Sequence, residues 1–274
     1  MIKIAHETTL DTFDFVQQMT DYDYFLVHMF ESQHNTRNYE YMSKFLKTRN
    51  SGRETILDNS IFELGTAYDS EKYIQWIKGL MPTYFIVPDV LNDANGTVQN
   101  FIEFMNKFGD QIPEESSVIG VCQGQTMEEL LLCYDFMHDH CDKVALSYDS
   151  VAYDDNKDLT KYAVGRQTLV REIYRRYDLN ARPLHLLGCG NPGLEGYILN
   201  FNPGHAIIDS IDTSAPVMLA LNDMIIEDTF DDYENYVKPS TLMADIMANH
   251  KSDPTTNCKI AANITAFRAM YRNG

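Results

Sequence analysis

Two carboxyl groups stand three residues apart in the stretch AIIDSIDTSAP, residues 206–216. An apolar run typical of a buried strand leads into Asp209 and Asp212, and the hydroxyls of Thr213 and Ser214 follow. Carboxyl groups in such positions act as nucleophiles and as general acids or bases, and neighbouring hydroxyls can orient them. Asp and Ser after a strand also cap helix N-termini, so for any single acid both interpretations stay open.

The same arrangement recurs along the chain, because polar residues follow most of its short apolar runs. These runs span residues 24–30, 54–60, 83–90, 117–124, 143–149, 184–190 and 205–212, and 2–7 is a candidate eighth. Their polar ends are Asp58, Asn59 and Ser60; Asp89; Gln123; Ser147, Tyr148 and Asp149; Gly188 and Gly190; and Asp209 and Asp212. Burying several carboxylates for stability alone is costly, so the whole set indicates a functional site better than a series of unrelated caps.

Segments with helical spacing separate the apolar runs, most clearly over residues 70–81, 126–140 and 165–177. Continuous apolar strands that alternate with helices are typical of parallel strands covered on both faces. Seven or eight such units predict an α/β fold, a (β/α)8 TIM-like barrel, as a single domain over residues 1–274 with a helical tail at about 240–274. An open doubly wound sheet is the alternative. In a barrel the strand ends form one rim, where active sites of this fold are built.

The amino-acid composition limits the classes of protein to which the chain can belong. With 44% hydrophobic and 23% charged residues, the chain is typical of a globular protein. It has no apolar run of about 18 residues and no long apolar segment near its first residues, so we expect no membrane span and a cytoplasmic location, in the host if the protein is viral. The five cysteines include no CxxC pair, so we expect free thiols, no metal site and no cofactor.

The net charge of −18 argues against broad, non-specific binding of nucleic acid, which requires clustered Lys and Arg. Two local basic strips are candidates for phosphate contacts, residues 44–49 and residues 165–177. A solvated helix face is the simpler interpretation of the second strip.

Four short motifs lie, in order along the chain, at the ends of predicted strands: LDNSIFELG (57–65), GVCQG (120–124), HLLGCGNPG (185–193) and IIDSIDTSAP (207–216). In order and spacing they resemble the motifs of the tRNA-guanine transglycosylase superfamily, which includes relatives that place 7-deazaguanine bases in DNA. The resemblance covers roughly residues 54–216. The family's double glycine in the first motif is Ser60-Ile61 here, and its later Gly-Gly corresponds to LSYD (146–149). The zinc-binding CxCxxC of the tRNA enzymes is absent, which favours DNA over tRNA as the nucleic-acid partner.

The resemblance implies a glycosyltransferase of the pentosyltransferase type that exchanges guanine for a 7-deazaguanine base through a covalent aspartyl–sugar intermediate. Asp212 would be the nucleophile that captures the sugar C1′, and Asp58 would be the general acid/base, a role that calls for a raised pKa. Asp89 and Gln123 would read the guanine edge, and Phe62 would stack on the base. Further substrate-binding residues in this interpretation are Asn59, Gly124, Ser147, Gly188, Gly190 and Asp209.

Two other classes stay open. A barrel hydrolase of nucleosides or glycosides would use the same acids without returning a base, and a non-catalytic barrel would only hold one. With a charge of −18, a DNA enzyme needs a polarised surface or a partner protein that delivers the DNA.

Overall fold

The structure, a computed structural model, describes residues 1–153, 161–226 and 253–272. Its strands are β1 Lys3–His6, β2 Asp23–Leu26, β3 Thr55–Asp58, β4 Tyr84–Ile86, β5 Ser117–Cys122, β6 Lys143–Ser147, β7 Leu184–Leu187 and β8 Ile208–Thr213. They form one sheet in the order β1-β8-β7-β6-β5-β4-β3-β2, and all paired neighbours run parallel. The prediction of a (β/α)8 barrel is confirmed, and the open-sheet alternative is wrong.

The barrel closes where β1 meets β2, through residues of the preceding loop. The Asp21 N–H donates to the Ile4 carbonyl at 2.9 Å, and the Ile4 N–H donates to Asp21 Oδ2 at 2.9 Å. The Thr20 hydroxyl also donates to the Ile4 carbonyl at 2.9 Å, and its oxygen accepts from the His6 N–H at 3.3 Å. The loop before β2 therefore satisfies the backbone groups of β1 that a neighbouring strand would otherwise pair.

Helices connect the strands on the outside of the barrel. They are α1 Phe13–Val16, α2 Asn38–Asn50, α3 Ile61–Leu64, α4 Ser70–Leu80, α5 Ala94–Phe108, α6 Met127–His140, α7 Lys161–Tyr177, α8 Pro192–Asn200, α9 Ala215–Leu221 and α10 Pro254–Arg272. The three helices predicted most clearly are confirmed as α4, α6 and α7. The helical tail is confirmed from Pro254 onward, whereas residues 240–252 lie outside the described residues.

One predicted strand is too long. The apolar run over residues 24–30 continues past Leu26, where β2 ends, into a 3-10 turn over Val27–Phe30. Val27 and Phe30 are as buried as the strand residues, because the turn packs its side chains towards α2, where Phe30 lies 4.9 Å from the Tyr41 ring. Continuous burial therefore does not distinguish this turn from a strand.

The strands are apolar on both faces because each face contacts a different core. In β3, Ile56 belongs to the cluster inside the barrel, whereas Leu57 belongs to the larger cluster between strands and helices. The inner cluster consists of Ala5, Tyr22, Ile56, Ile86, Ile119, Val121 and Ala145. This double burial explains the continuous apolar runs of the sequence.

The last helix supports the rim from outside. Asn263 of α10 donates to the Pro216 carbonyl at 3.0 Å and accepts from the Ile226 N–H at 2.8 Å, which fixes α10 against α9. Further along α10, the Tyr271 hydroxyl lies 3.1 Å from Sγ of Cys189, in the loop that follows β7. Helix α10 thus packs against one of the loops that build the candidate site.

Candidate active site

Asp58 is the last residue of β3, and two donors hold its carboxyl group. The Tyr24 hydroxyl donates to Oδ2 at 2.5 Å, and the Ser60 N–H donates to Oδ1 at 2.5 Å. Burial and the negative charges of Glu63 and Asp212 raise the pKa of Asp58 to about 8, although the two hydrogen bonds lower it. At neutral pH Asp58 is therefore mostly protonated, the state from which a carboxyl group gives up a proton as a general acid.

The turn after β3 is closed by two successive side chains. Asp58 accepts the Ser60 N–H, and Oδ1 of Asn59 accepts the Ile61 N–H at 3.0 Å. Such Asx turns fix the loop without help from the rest of the barrel. Ser60 has a φ of 61°, in the left-handed region that favours glycine. Ser60 therefore holds a backbone conformation that glycine adopts more readily.

Asp212 lies near the end of β8 and is almost completely buried. The Gly188 N–H lies 3.2 Å from Oδ1 and 3.3 Å from Oδ2, so it contacts both oxygens. Nε2 of His185 lies 3.1 Å from Oδ1. Gly188 has a φ of 63°, which a side chain would strain, so a glycine is needed to aim this N–H at the carboxylate.

Two aromatic rings lie between the two acids, inside the barrel. The Tyr24 ring, whose hydroxyl bonds Asp58, stacks on the His185 ring at a centroid distance of 6.0 Å and an interplanar angle of 18°. His185 in turn contacts Asp212. The rings connect β3 with β8 beneath the rim, so the positions of Asp58 and Asp212 depend on one packed unit.

A second buried group surrounds Asp89, in the loop after β4. The Asn59 amide donates to Oδ1 of Asp89 at 2.8 Å, and the Gln123 amide donates to Oδ2 at 2.7 Å. Gln123 also lies 3.5 Å from the hydroxyl of Ser147, the last residue of β6. Burial raises the pKa of Asp89 against these two hydrogen bonds. The structure therefore brings four predicted residues together, Asn59, Asp89, Gln123 and Ser147.

The other predicted residues have distinct surroundings. Phe62 lies on α3 with 64% of its side chain exposed, so its ring is available to a ligand. Gly124 and Gly190 have close neighbours: a Cβ on Gly124 would lie 2.8 Å from Cβ of Glu129, and one on Gly190 would lie 2.5 Å from the Tyr148 ring. Packing against α6 and against Tyr148 is sufficient to explain these two glycines.

Asp209 is not at the rim. It is the second residue of the six-residue strand β8, at the opposite end of the barrel from Asp212. Its Oδ2 accepts from Nζ of the buried Lys143, the first residue of β6, at 2.6 Å. The strand register pairs Ile208 and Ser210 with β7 and skips Asp209, so a bulge displaces it. The predicted position of Asp209 in the substrate site is therefore wrong.

The sequence analysis missed a buried ion pair behind the rim. Both nitrogens Nε and Nη2 of Arg166, in α7, donate to the Glu195 carboxylate of α8 at 2.7 Å, and both side chains are fully buried. Arg166 also donates to the carbonyls of Leu146, Leu187 and Gly188, at 3.3, 2.7 and 2.8 Å. The pair thus holds the ends of β6 and β7, next to the N–H that contacts Asp212. A basic helix pattern alone does not separate Arg166 from its solvated neighbours.

Most basic side chains of the two basic strips are paired with carboxylates, whereas Arg49 of the first strip contacts Sδ of Met81 at 3.7 Å. Lys44 and Lys47 both bond Asp14, at 2.7 and 3.1 Å. In the second strip, the pairs are Arg166 with Glu195, Arg171 and Arg175 with Glu172, and Arg176 with Asp135. These pairs leave little positive potential for phosphate groups on either strip.

No group of three or more His, Cys, Asp and Glu side chains in the described ranges is arranged to hold a metal ion. Among the described helices, none is both long enough and apolar enough to cross a membrane. Neither a protein-family model nor a curated protein matches the chain in sequence. Because a barrel of this kind hosts many reactions, the function has to be argued from the site itself.

Proposed function

We propose that this protein is a nucleobase transglycosylase that exchanges guanine for a 7-deazaguanine base in DNA, or in tRNA, through a covalent aspartyl–sugar intermediate. One observation carries the proposal: two carboxyl groups share a rim but differ in environment. Asp58 has its pKa raised to about 8, whereas Asp212 accepts the Gly188 N–H at both oxygens. One protonated acid and one oriented carboxylate are what a retaining reaction at a glycosidic bond requires.

The first step breaks the bond between the sugar and guanine. A carboxylate oxygen of Asp212 attacks C1′, and the electron pair of the C1′–N9 bond passes to the base. Asp58 gives its proton to the departing base, which leaves as neutral guanine. The sugar is then held as an ester of Asp212.

The second step reverses the first with a different base. N9 of the incoming 7-deazaguanine attacks C1′, and the electron pair of the C1′–O bond returns to the Asp212 carboxylate. Asp58 takes the proton from the incoming N9–H, which restores both acids. Two successive displacements retain the configuration at C1′.

The buried group around Asp89 supplies base selection in this proposal. A guanine edge presents N1–H and a 2-amino group, and a carboxylate accepts from both. Asp89 accepts one hydrogen bond at each oxygen, from Asn59 and Gln123, and each oxygen has a further lone pair for the base. An adenine edge would leave Asp89 without those donors, which rejects it. The exposed Phe62 ring would stack on the base.

The charge distribution favours a delivery partner for a nucleic-acid substrate. Lys44 and Lys47 are paired with Asp14, and the four arginines of α7 are paired with Glu195, Glu172 and Asp135. Because affinity for nucleic acid depends on phosphate contacts with Lys and Arg, a basic partner protein would supply those contacts. The base must also leave its stack to reach the rim of a barrel.

The same pairing favours a second candidate function, hydrolysis of free nucleosides. A nucleoside has no phosphate, so its binding does not require unpaired cations. Asp212 and Asp58 would act as in the first step above, and water would take the place of the incoming base.

Base exchange tests the proposal directly. The protein is incubated with guanine-containing DNA or with tRNA, together with labelled guanine or with 7-cyano- or 7-aminomethyl-7-deazaguanine, and the digested nucleosides are analysed by mass spectrometry. We expect incorporation into DNA that Asp212→Asn abolishes. Asp209→Asn is the matched control: it changes the other acid of the same strand, far from the rim, and its amide oxygen still accepts from Lys143.

The remaining outcomes separate the candidates. Incorporation only into tRNA would support the proposed base exchange with tRNA, not DNA, as the substrate. Release of free guanine from nucleosides without incorporation supports the hydrolase. Binding of the base with neither release nor incorporation would overturn both and leave a non-catalytic base-binding barrel.

A further inference from the structure

A histidine lies directly beneath Asp212, in a position for which the proposed two-acid mechanism has no role. His185 of β7 is fully buried. Its Nδ1 lies 3.0 Å from the hydroxyl of Ser210, and its Nε2 lies 3.1 Å from Oδ1 of Asp212. Its ring stacks on Tyr24. The contact with Ser210 and the stacked face orient this imidazole, whereas Nε2, although close to Oδ1 of Asp212, is not aligned for a hydrogen bond.

The surroundings also determine where the histidine carries its proton. Burial lowers the pKa of His185, as does the charge of Lys143, against the carboxylates of Asp212 and Asp209, so the ring is neutral and has one N–H. A proton on Nδ1 would place the Nε2 lone pair against a carboxylate oxygen at 3.1 Å, which is repulsive. A proton on Nε2 instead places a donor beside Oδ1, which a small rotation of the ring aligns into a hydrogen bond, while the Ser210 hydroxyl donates to Nδ1.

The order Ser210, His185, Asp212 contains the residue types of a hydrolytic triad, but the roles differ. Ser210 is fully buried on the far side of the imidazole, so its hydroxyl does not reach a substrate. Ser210 can therefore orient the ring but cannot serve as a nucleophile. The end of this chain of contacts nearest the rim is the Asp212 carboxylate, near the end of β8.

The two oxygens of Asp212 are not equivalent. Oδ1 lies near both Nε2 of His185 and the Gly188 N–H, whereas among the described residues the contact given for Oδ2 is the Gly188 N–H, at 3.3 Å. We propose that Ser210 and His185 form a positioning pair that holds Oδ1 of Asp212 and leaves Oδ2 as the oxygen that attacks the sugar. This inference rests on the proposed function, since it assigns roles within that reaction.

The assignment has a kinetic consequence. When Oδ2 bonds to C1′, Asp212 becomes an ester, and Oδ1 becomes its carbonyl oxygen, a weaker acceptor than a carboxylate. When the incoming base breaks that ester, the electron pair returns and Oδ1 regains negative charge, so the bond from His185 strengthens in this step. His185 therefore accelerates breakdown of the intermediate more than its formation. Loss of a donor to a charged group corresponds to about a 10- to 100-fold change in that rate.

Variants of the histidine test this role. His185→Phe keeps a ring against Tyr24 but removes the N–H, and His185→Gln keeps a donor. Rapid quenching and mass spectrometry of the intact protein give the rates at which the aspartyl–sugar adduct forms and breaks down. We expect His185→Phe to slow breakdown by about 10- to 100-fold and to accumulate adduct, with partial rescue in His185→Gln. His28→Gln is the matched control, because His28 is also buried but faces His34.

A measurement without substrate separates this proposal from the proposed function. Long-range ¹H–¹⁵N correlations of the wild-type protein distinguish the Nε2–H tautomer of His185 from the Nδ1–H tautomer. We expect Nε2–H, with a redistribution in Ser210→Ala. An Nδ1–H ring, or a folded His185→Phe with an unchanged adduct lifetime, overturns the positioning role alone. A wild type that has the Nε2–H tautomer yet forms no adduct on any substrate refutes the proposed function and this role with it.

Discussion

The ion pair between Arg166 and Glu195 gives a prediction whose magnitude follows from the structure. Both side chains are fully buried, and two bonds of 2.7 Å join them. Removing one partner of such a pair leaves an uncompensated buried charge, at a cost of about 3–5 kcal/mol in unfolding free energy. Although burial by itself would lower the pKa of Arg166, Glu195 raises it, so the guanidinium keeps its proton and its charge.

The two single variants and the double variant should differ in a defined way. Arg166→Met leaves three carbonyls without their donor and leaves the buried Glu195 charge with only the Gln167 amide at 3.1 Å among its described donors, so we expect a loss of about 4–5 kcal/mol. Glu195→Leu leaves Arg166 its carbonyl partners, so we expect about 3–4 kcal/mol. Arg166→Met with Glu195→Leu leaves no buried charge, so we expect only about 1–3 kcal/mol, mainly from the carbonyls.

Urea denaturation followed by the fluorescence of Trp76, the single tryptophan, measures these free energies. A double-mutant cycle then gives a coupling energy between Arg166 and Glu195, which we expect to be about 3 kcal/mol or more. Additive losses in the double variant, or single-variant losses below about 1 kcal/mol, would refute the view that this pair holds the ends of β6 and β7.

Other predictions concern the site itself. Folding raises the pKa of Asp58 from 3.8 to about 8, so its protonation stabilises the fold fully below about pH 4, and this contribution is lost as the pH rises through 8. Asp58→Asn should therefore flatten the pH dependence of the urea midpoint between about pH 4 and 8. An unchanged slope would contradict the raised pKa of Asp58. Tyr24→Phe removes a hydrogen bond that lowers the pKa of Asp58, so the alkaline limb of the pH profile of kcat/KM for base exchange should move to higher pH. A shift to lower pH would contradict the role of Asp58 as the acid. Gly188→Ala places a side chain at a φ of 63°, so it should lower the unfolding free energy, measured by urea denaturation, by about 1–2 kcal/mol. It should also slow formation of the adduct. Full activity would show that the Gly188 N–H does not orient Asp212. Phe62→Ala should weaken binding of 7-deazaguanine by about 5- to 150-fold in equilibrium dialysis, with Phe62→Tyr as the control. Because Phe62 is exposed, its loss should change the unfolding free energy by less than about 0.5 kcal/mol. An unchanged affinity would exclude stacking of Phe62 on the base.

The barrel and much of its rim were predictable because parallel strands leave little freedom. Once each apolar run ends in a polar residue, closure of the sheet brings those ends together. Asp58, Asp89, Gln123 and Asp212 therefore follow from their positions after strands, without knowledge of their partners. The rim positions of these four residues are thus predictable from the sequence, and the structure adds what each of them contacts.

The remaining features depend on registers that the sequence does not display. Asp209 lies at the other end of the barrel because it is the second residue of β8, and a bulge beside it interrupts its pairing with β7. In the sequence, His185 is one polar residue within an apolar strand. Its proposed role follows only from Ser210 and Asp212, which lie beside it on β8. Arg166 shares a helix with exposed basic residues, and only a carboxylate from the next helix distinguishes it. In each case the deciding partner comes from another segment of the chain.

The closure of the barrel affects how the chain is assembled during synthesis. In the sheet, β1 pairs only with β8, where Lys3 lies opposite Ser210 and His6 opposite Thr213. The first strand of the barrel thus acquires its ladder only after the eighth has left the ribosome, and contacts between strands so far apart in sequence are slow to form. Until then a nascent chain exposes an unpaired strand edge, which chaperones bind and other chains can pair with. Truncation before residue 208 should therefore produce aggregating chains rather than a smaller barrel.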